Sequence, residues 1–244
     1  MTIRTVSQIA VVLALTAVAG SAAAYIMPAE AILGSVARRR EGLGFKSIIV
    51  EGIRKKGKEG PEEPVWEAII PGGVHRREIR GEGTTDVTLT AGTRRAVWRE
   101  GEKAQNTRIK PDPIIAFLAQ TSMESRAEGR ALLEAYGIDS TEVSLSRLDR
   151  TIAYVIGAKP WELDKPQLWI DKSFRVPIRL IEIDPKTKDV TDTRYIGYGA
   201  AQTGEWWPRK IEVYKNGTLL EVTTYTDVQV NEPLDAGLFK PPGQ

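Results

Sequence analysis

A chain of 244 residues, 41% of them hydrophobic, can bury a substantial core without covalent staples. It contains no cysteine, which excludes disulfides, thiolate catalysis and cysteine metal sites. Its formal net charge of +2, with lysine and arginine scattered among aspartate and glutamate, lacks the basic bias that a nucleic-acid partner selects.

Residues 1–24 read as a secretory signal: Arg4 supplies the positive start, Ile9 to Gly20 an apolar run, and Ala22-Ala23-Ala24 the small residues a signal peptidase accepts. The apolar run is shorter than the ~20 residues a membrane span needs. Ala29-Glu30-Ala31 offers a second cleavage motif, and no cysteine follows to carry a lipid. The expectation is an exported, periplasmic protein without a lipid anchor, whose mature part, 25–244, forms one domain. Residues 28–41 predict a short helix, with Pro28 in its first turn, Ile32, Leu33 and Val36 as an apolar stripe, and Arg38-Arg39-Arg40 at its favourable C-terminal end.

From Phe45 to Glu100 the pattern turns to strands: Phe45–Ile53, Pro64–Ile70, Val74–Gly81, Asp86–Thr90 and Thr93–Arg99, separated by turn-forming Gly and Pro clusters. Residues 111–137 break this pattern. Asp112 can cap a helix that Pro113 opens, with Ile114, Ile115, Phe117 and Leu118 on one face. Ser125 with Glu128 spells a capping box for a second helix carrying Ala131, Leu132, Leu133, Ala135 and Tyr136, which Gly137 stops. Two amphipathic helices inside a β-meander have to cover something: either they plug the open end of a curved sheet, or they lie as a lid over a cavity.

Strands resume at Glu142–Leu148 and Thr151–Ile156. In the stretch Pro166–Leu180, Phe174, Val176, Ile178 and Leu180 alternate, and Ile181 and Ile183 then change phase, which predicts a bulge near Leu180. A turn at Asp184–Asp189 and a strand at Thr193–Ala200 lead to a closing hairpin. There Trp206–Tyr214 and Leu219–Val230 flank Asn216-Gly217, the dipeptide of a type I′ turn. On the last strand Leu220, Val222, Thr224, Thr226, Val228 and Val230 share one face and Glu221, Thr223, Tyr225, Asp227 and Gln229 the other, the pattern of a sheet with one wet side.

Chemistry-bearing patterns are scarce. His75 is the sole histidine and follows a Gly-Gly turn, and the chain has no Gly-x-Ser-x-Gly elbow, P-loop or dinucleotide fingerprint. One histidine and no cysteine leave no recognisable transition-metal set. Nothing nominates a carboxylate pair, so neither an enzyme nor a bound cofactor is expected. Trp66, Trp98 and Trp169 fall in strands and Trp206-Trp207 opens the last hairpin; core packing, lining of an apolar site and, for the last pair, stacking on carbohydrate are all open.

Three stretches carry a resemblance. Pro208-Arg209-Lys210-Ile211, Asn216-Gly217 and the ending Asp235-Ala236-Gly237-Leu238-Phe239-Lys240-Pro241-Pro242 resemble the close of the outer-membrane lipoprotein carrier family (LolA/LolB-like). Pro71 with Arg76-Arg77, then Gly92 to Trp98, and Pro166-Gln167-Leu168-Trp169-Ile170-Asp171-Lys172 with Pro177-Ile178-Arg179 resemble further segments in the same order. The resemblance implies a mainly β fold: one curved, incomplete antiparallel half-barrel whose helices form a lid over an apolar cavity. It implies a periplasmic carrier of lipid or lipoprotein acyl chains, monomeric, passing cargo from an inner-membrane donor to an outer-membrane acceptor. The cavity and lid would be lined by Trp66, Leu89, Trp98, Ile114, Phe117, Leu118, Leu132, Trp169, Ile178, Val213 and Val222. A strand arginine that latches the empty lid would be Arg77 or Arg76. The extra segment around Ser140–Lys165 departs from the family and leaves the cargo open. The alternative is an envelope sensor or scaffold of the same fold that binds a protein partner.

Overall fold

The computed structural model describes residues 26–70, 73–110, 112, 114–115, 126–199 and 206–242; the signal segment, Phe117, Leu118 and Ser125 lie outside them. Helix α1 (Ala29–Glu41) starts where the Pro28 carbonyl accepts from the N–H groups of Ala31 and Ile32, and its predicted stripe of Ile32, Leu33 and Val36 is buried. Six strands follow: β1 (Ile48–Lys56), β2 (Glu62–Ile70), β3 (Val74–Gly81), β4 (Thr84–Ala91), β5 (Arg94–Arg99) and β6 (Gln105–Arg108). The last of these, wholly exposed and polar, has no hydrophobic alternation to announce it.

After helix α2 (Arg126–Ala135) come β7 (Val143–Leu148), β8 (Thr151–Ile156), β9 (Gln167–Asp171), β10 (Pro177–Ile183), β11 (Val190–Tyr198), β12 (Pro208–Lys215) and β13 (Thr218–Val230), then a 3-10 turn (Ala236–Phe239). The 13 strands of the described residues form one antiparallel sheet in the order β6-β5-β4-β3-β2-β1-β13-β12-β11-β10-β9-β8-β7. The sheet is not closed: β6 and β7 are its two edges. This is the open, curved half-barrel that the sequence reading expects.

The strand order dictates where the middle of the chain must run. From β1 at the centre the first meander travels outward to one edge, and from β7 at the far edge the second returns to β13, beside β1. The chain therefore leaves β6 at one edge and enters β7 at the other. Lys110 ties the start of this crossover to the far half, its ammonium 3.5 Å from Glu182 of β10. Helix α2 contacts α1, and Ile32, Leu33, Leu132 and Leu133 share one core with Ile48, Val50, Ile69, Leu168 and Leu180 of the sheet. Each such side chain contributes roughly 1.5–3 kcal/mol by leaving water.

Two local expectations meet different outcomes. Asn216 and Gly217 both take positive φ, 48° and 78°, so the closing hairpin turns as its sequence demands. The bulge expected near Leu180 is not there. Residues Arg179–Ile183 pair with β11 without interruption, and the irregularity lies between Pro177 and Arg179 on the β9 side. Ile181 looks out of phase because both faces of β10 are buried, so alternation carries no information.

The central seam has one tight point, a register shift that turns Val228 and Val230 onto the face of Tyr225 and so breaks the alternation expected along the whole of β13. Gly52 faces Tyr225 at a register shift, and a Cβ there would lie 2.2 Å from the Thr224 carbonyl oxygen and 2.9 Å from Tyr225 Cα. Both neighbours are backbone of the partner strand and cannot yield cheaply. Gly52→Ala is expected to destabilise the protein by about 1–3 kcal/mol, the usual cost of forcing atoms into a packed site. Thermal unfolding of the variant checks this; an unchanged midpoint would contradict it.

Candidate functional site

The register sorts side chains onto two faces of the sheet. On the face that carries the helices, Glu67, Arg77 and Thr88 stand in one cross-strand row, and Ile69, His75 and Thr90 in the next. Across the seam the same face presents Glu221, Thr223 and Tyr225 of β13, then Ile211 and Val213 of β12, then Thr193 and Tyr195 of β11. With Ile109, Asp112, Ile114 and Ile115 of the crossover segment these residues enclose a cavity of about 370 Å³. That size falls in the range of small-molecule sites, roughly 300–1,000 Å³.

The wall is apolar where the crossover meets β12, and the floor is charged. Glu67, with 4% of its side chain exposed, is the hub. Its Oε2 lies 2.9 Å from His75 Nε2, and its Oε1 accepts the Tyr225 hydroxyl at 2.8 Å and sits 3.2 Å from Arg77 Nε. Arg77 Nη2 donates to Glu221 Oε1 and Thr223 Oγ1, each at 2.9 Å. Arg54 lies 3.6 Å from Glu221 and donates to Glu63 at 2.6 and 2.9 Å, extending the chain of charges along the seam.

A buried carboxylate stays ionised only where partners outweigh the lost hydration. Burial by itself raises the Glu67 carboxyl, but Arg77, His75 and Tyr225 together hold it below the ordinary carboxylate value. Burial works against the Arg77 charge too; Glu67, Tyr225 and Glu221 overcome it and raise the guanidinium above its usual value. Burial and the neighbouring Glu67 push the Tyr225 phenol well up, so it remains a neutral donor. Asp112 caps the helical turn as predicted, its Oδ1 accepting from the N–H groups of Ile114 at 2.9 Å and Ile115 at 3.2 Å. Desolvation by the residues packed around it pushes the Asp112 carboxyl up, against the pull of those two bonds and of His75. Among the described residues, no group of three or more His, Asp or Glu side chains is placed to hold a metal ion.

The residues expected to line the cavity divide sharply. Ile114 and Val213 do line it, and Arg77 forms its floor. Leu132 and Ile178 pack in the core beside it, and Phe117 and Leu118 lie outside the described residues. Trp66, Leu89, Trp98, Trp169 and Val222 stand on the opposite face, and so does Arg76. There Leu89 and Trp98 form a satellite cluster with Val87 and Ala96, covered by Phe239 of the C-terminal turn. Arg76 pins that turn, donating to the Leu238 carbonyl at 2.7 Å and lying 5.5 Å from the Trp98 ring. Trp169 is covered by the loop after β8, whose Lys159 and Glu162 carbonyls accept from Gln167, itself bonded to the Trp169 indole.

Sequence reasoning missed the hub. The signal was present in Val65-Trp66-Glu67-Ala68-Ile69: a glutamate that shares a face with Val65 and Ile69, both buried, must find a buried partner.

Because folding lowers the Glu67 value, its contribution is complete above the unfolded value of 4.5 and is lost as pH falls through the lower native value. Glu67→Gln is expected to cost about 3 kcal/mol at pH 7, since it removes the carboxylate that Arg77, His75 and Tyr225 share. The gap from the unaltered protein should narrow markedly at pH 3 in denaturant titrations. A gap of the same size at both pH values would contradict the assignment.

No protein-family profile and no curated protein matches the sequence. Solved structures do resemble it. A putative outer membrane lipoprotein-sorting protein domain from Vibrio parahaemolyticus superposes with a TM-score of 0.55 at 14% identity, over 86% of this chain and 97% of that one. A LolA superfamily protein from Nitrosomonas europaea gives 0.50 at 15% identity, covering 88% and 98%. A DUF1329 family protein from Desulfovibrio piger gives 0.50 at 14% identity, again over 88% and 98%. Near-complete coverage of both partners at such low identity is a likeness of architecture: the chain has a LolA-like fold.

Proposed function

We propose that this chain is a binding protein of the cell envelope, not an enzyme, that takes the acyl chains of a lipid or lipoprotein into the cavity between its sheet and the crossover segment. The observation that carries this reading is the cavity's apolar wall, where Ile114 and Ile115 face Ile211, Val213 and Trp207. Hiding one methylene from water is worth roughly 0.8 kcal/mol, so a chain of about 15 exposes on the order of 12 kcal/mol if it crosses water unprotected. A soluble protein with a partly apolar hollow answers that cost without any catalytic group. The LolA-like fold supports the reading, since one structural neighbour is described as a lipoprotein-sorting domain.

The periplasmic location rests on the leader-like segment 1–24, with 25–244 as a single binding domain, monomeric and without a lipid anchor. Delivery towards the outer membrane, between a donor and an acceptor protein, belongs to the same proposal. Arg77 takes a different part from the latch that the family resemblance implies. Its described partners are Glu67, Glu221 and Thr223, all on the sheet, so it serves as the cavity floor.

Native mass spectrometry of the protein purified from its own envelope, followed by organic extraction, tests the reading. A lipid or acylated peptide near one per chain is the expected result; a clean apo mass with no uptake from added lipid would overturn it and favour a protein-binding scaffold. Val97 lines the cavity and is 38% exposed, so Val97→Trp fills the hollow without entering the core. Excluding even two methylenes would lower capture by about tenfold, while far-UV circular dichroism stays unchanged.

A further inference from the structure

The charges around the cavity are not equally engaged. Arg77 is bound by Glu67 and Glu221, and Arg54 by Glu63 and Glu221. Arg95 of β5 also lines the cavity, and among the described residues it has no ion-pair partner. It is exposed, whereas the arginines of the floor are not. The strand register places it between two hydroxyls on the same face, Thr90 of β4 and Thr107 of β6, with His75 next beyond Thr90. Arg95 is thus a cation flanked by hydroxyls at the open, β6 side of the cavity; the Thr107 hydroxyl donates to the Arg108 carbonyl at 3.3 Å, and its lone pairs and the Arg95 guanidinium face outward. The apolar wall of Ile211 and Val213 lies on the other side of the seam.

Resting on the carrier reading, we propose that the cavity is built for an amphiphile with an anionic head, and that Arg95, with Thr90 and Thr107, binds the head while the acyl chain lies along the β12 side. Phosphate is the best match in chemistry, because its oxygens accept from a guanidinium fork and from hydroxyls at once. Both carboxylates of the floor are paired, Glu67 with Arg77 and Glu221 with Arg77 and Arg54, which weakens their repulsion of an anion. Asp112 directs one oxygen into the backbone N–H groups of its own helical turn. A cationic head would instead meet Arg95 uncompensated.

Uptake is measured by native mass spectrometry with three probes: phosphatidylglycerol, diacylglycerol with the same acyl chains, and glycerol 3-phosphate. The charge-assisted contact predicts phosphatidylglycerol bound about ten- to a hundredfold more tightly than diacylglycerol. Arg95→Gln should erase that preference, and Arg94→Gln, on the opposite face of the same strand, should keep it. Equal binding of the two lipids by the unaltered protein, or a preference that survives Arg95→Gln, would overturn the headgroup site and leave the carrier standing. Arg95-dependent binding of glycerol 3-phosphate with neither lipid taken up would instead overturn the carrier and leave a site for a free phosphate compound.

Discussion

One buried carboxylate organises this molecule. Glu67 of β2 is held by His75 and Arg77 of β3 and by Tyr225 of β13, so it ties together strands on both sides of the central seam. The Tyr225 contact alone joins residues 158 apart in sequence. An isolated carboxylate in that position would be prohibitively costly, and its partners would be nearly as costly without it. The cluster therefore stands or falls as a unit. Its consequence is twofold: it fastens the first meander to the last strand, and it sets a charged floor beneath the hollow.

The cavity follows from topology more than from any particular loop. Because β1 and β13 meet in the middle, the two meanders end at opposite edges, and the chain between them has to cross the face. That crossing brings Ile109, Asp112, Ile114 and Ile115 over the inner face of β11–β13. Helices α1 and α2 fill the remaining width as ordinary core, leaving open the part above β3–β5 and β11–β13.

Much of this was legible in the sequence. The apolar stripe of α1, the Asn216-Gly217 hairpin, the alternating strands and the Asp112 cap were readable because each is decided within a few residues. The half-barrel itself came from a family resemblance, not from periodicity. The facing of the sheet was not legible. Alternation at Leu89 and Trp98, or at Leu220 and Val222, separates two faces without saying which one the helices take. The usual guide, that the apolar face is the inner one, fails here for a physical reason. Short local covers, the Phe239 turn and the loop after β8, bury tryptophans on the outer face. Meanwhile long-range ion pairs allow Glu67, Arg77 and Glu221 on the inner one. Pairings that span more than a hundred residues leave no local trace in either partner.

The distinction between the two faces also supplies the most direct test of the central claim, that acyl chains enter the cavity on the helix-bearing side. Trp207 lines that cavity, and Trp98 packs on the opposite face. Two variants, each retaining one of these as its sole tryptophan, are loaded with a lipid brominated along its acyl chain. Strong quenching of Trp207 fluorescence with Trp98 unaffected is the predicted result. Quenching of Trp98 with Trp207 untouched would place the lipid on the other face and contradict the account.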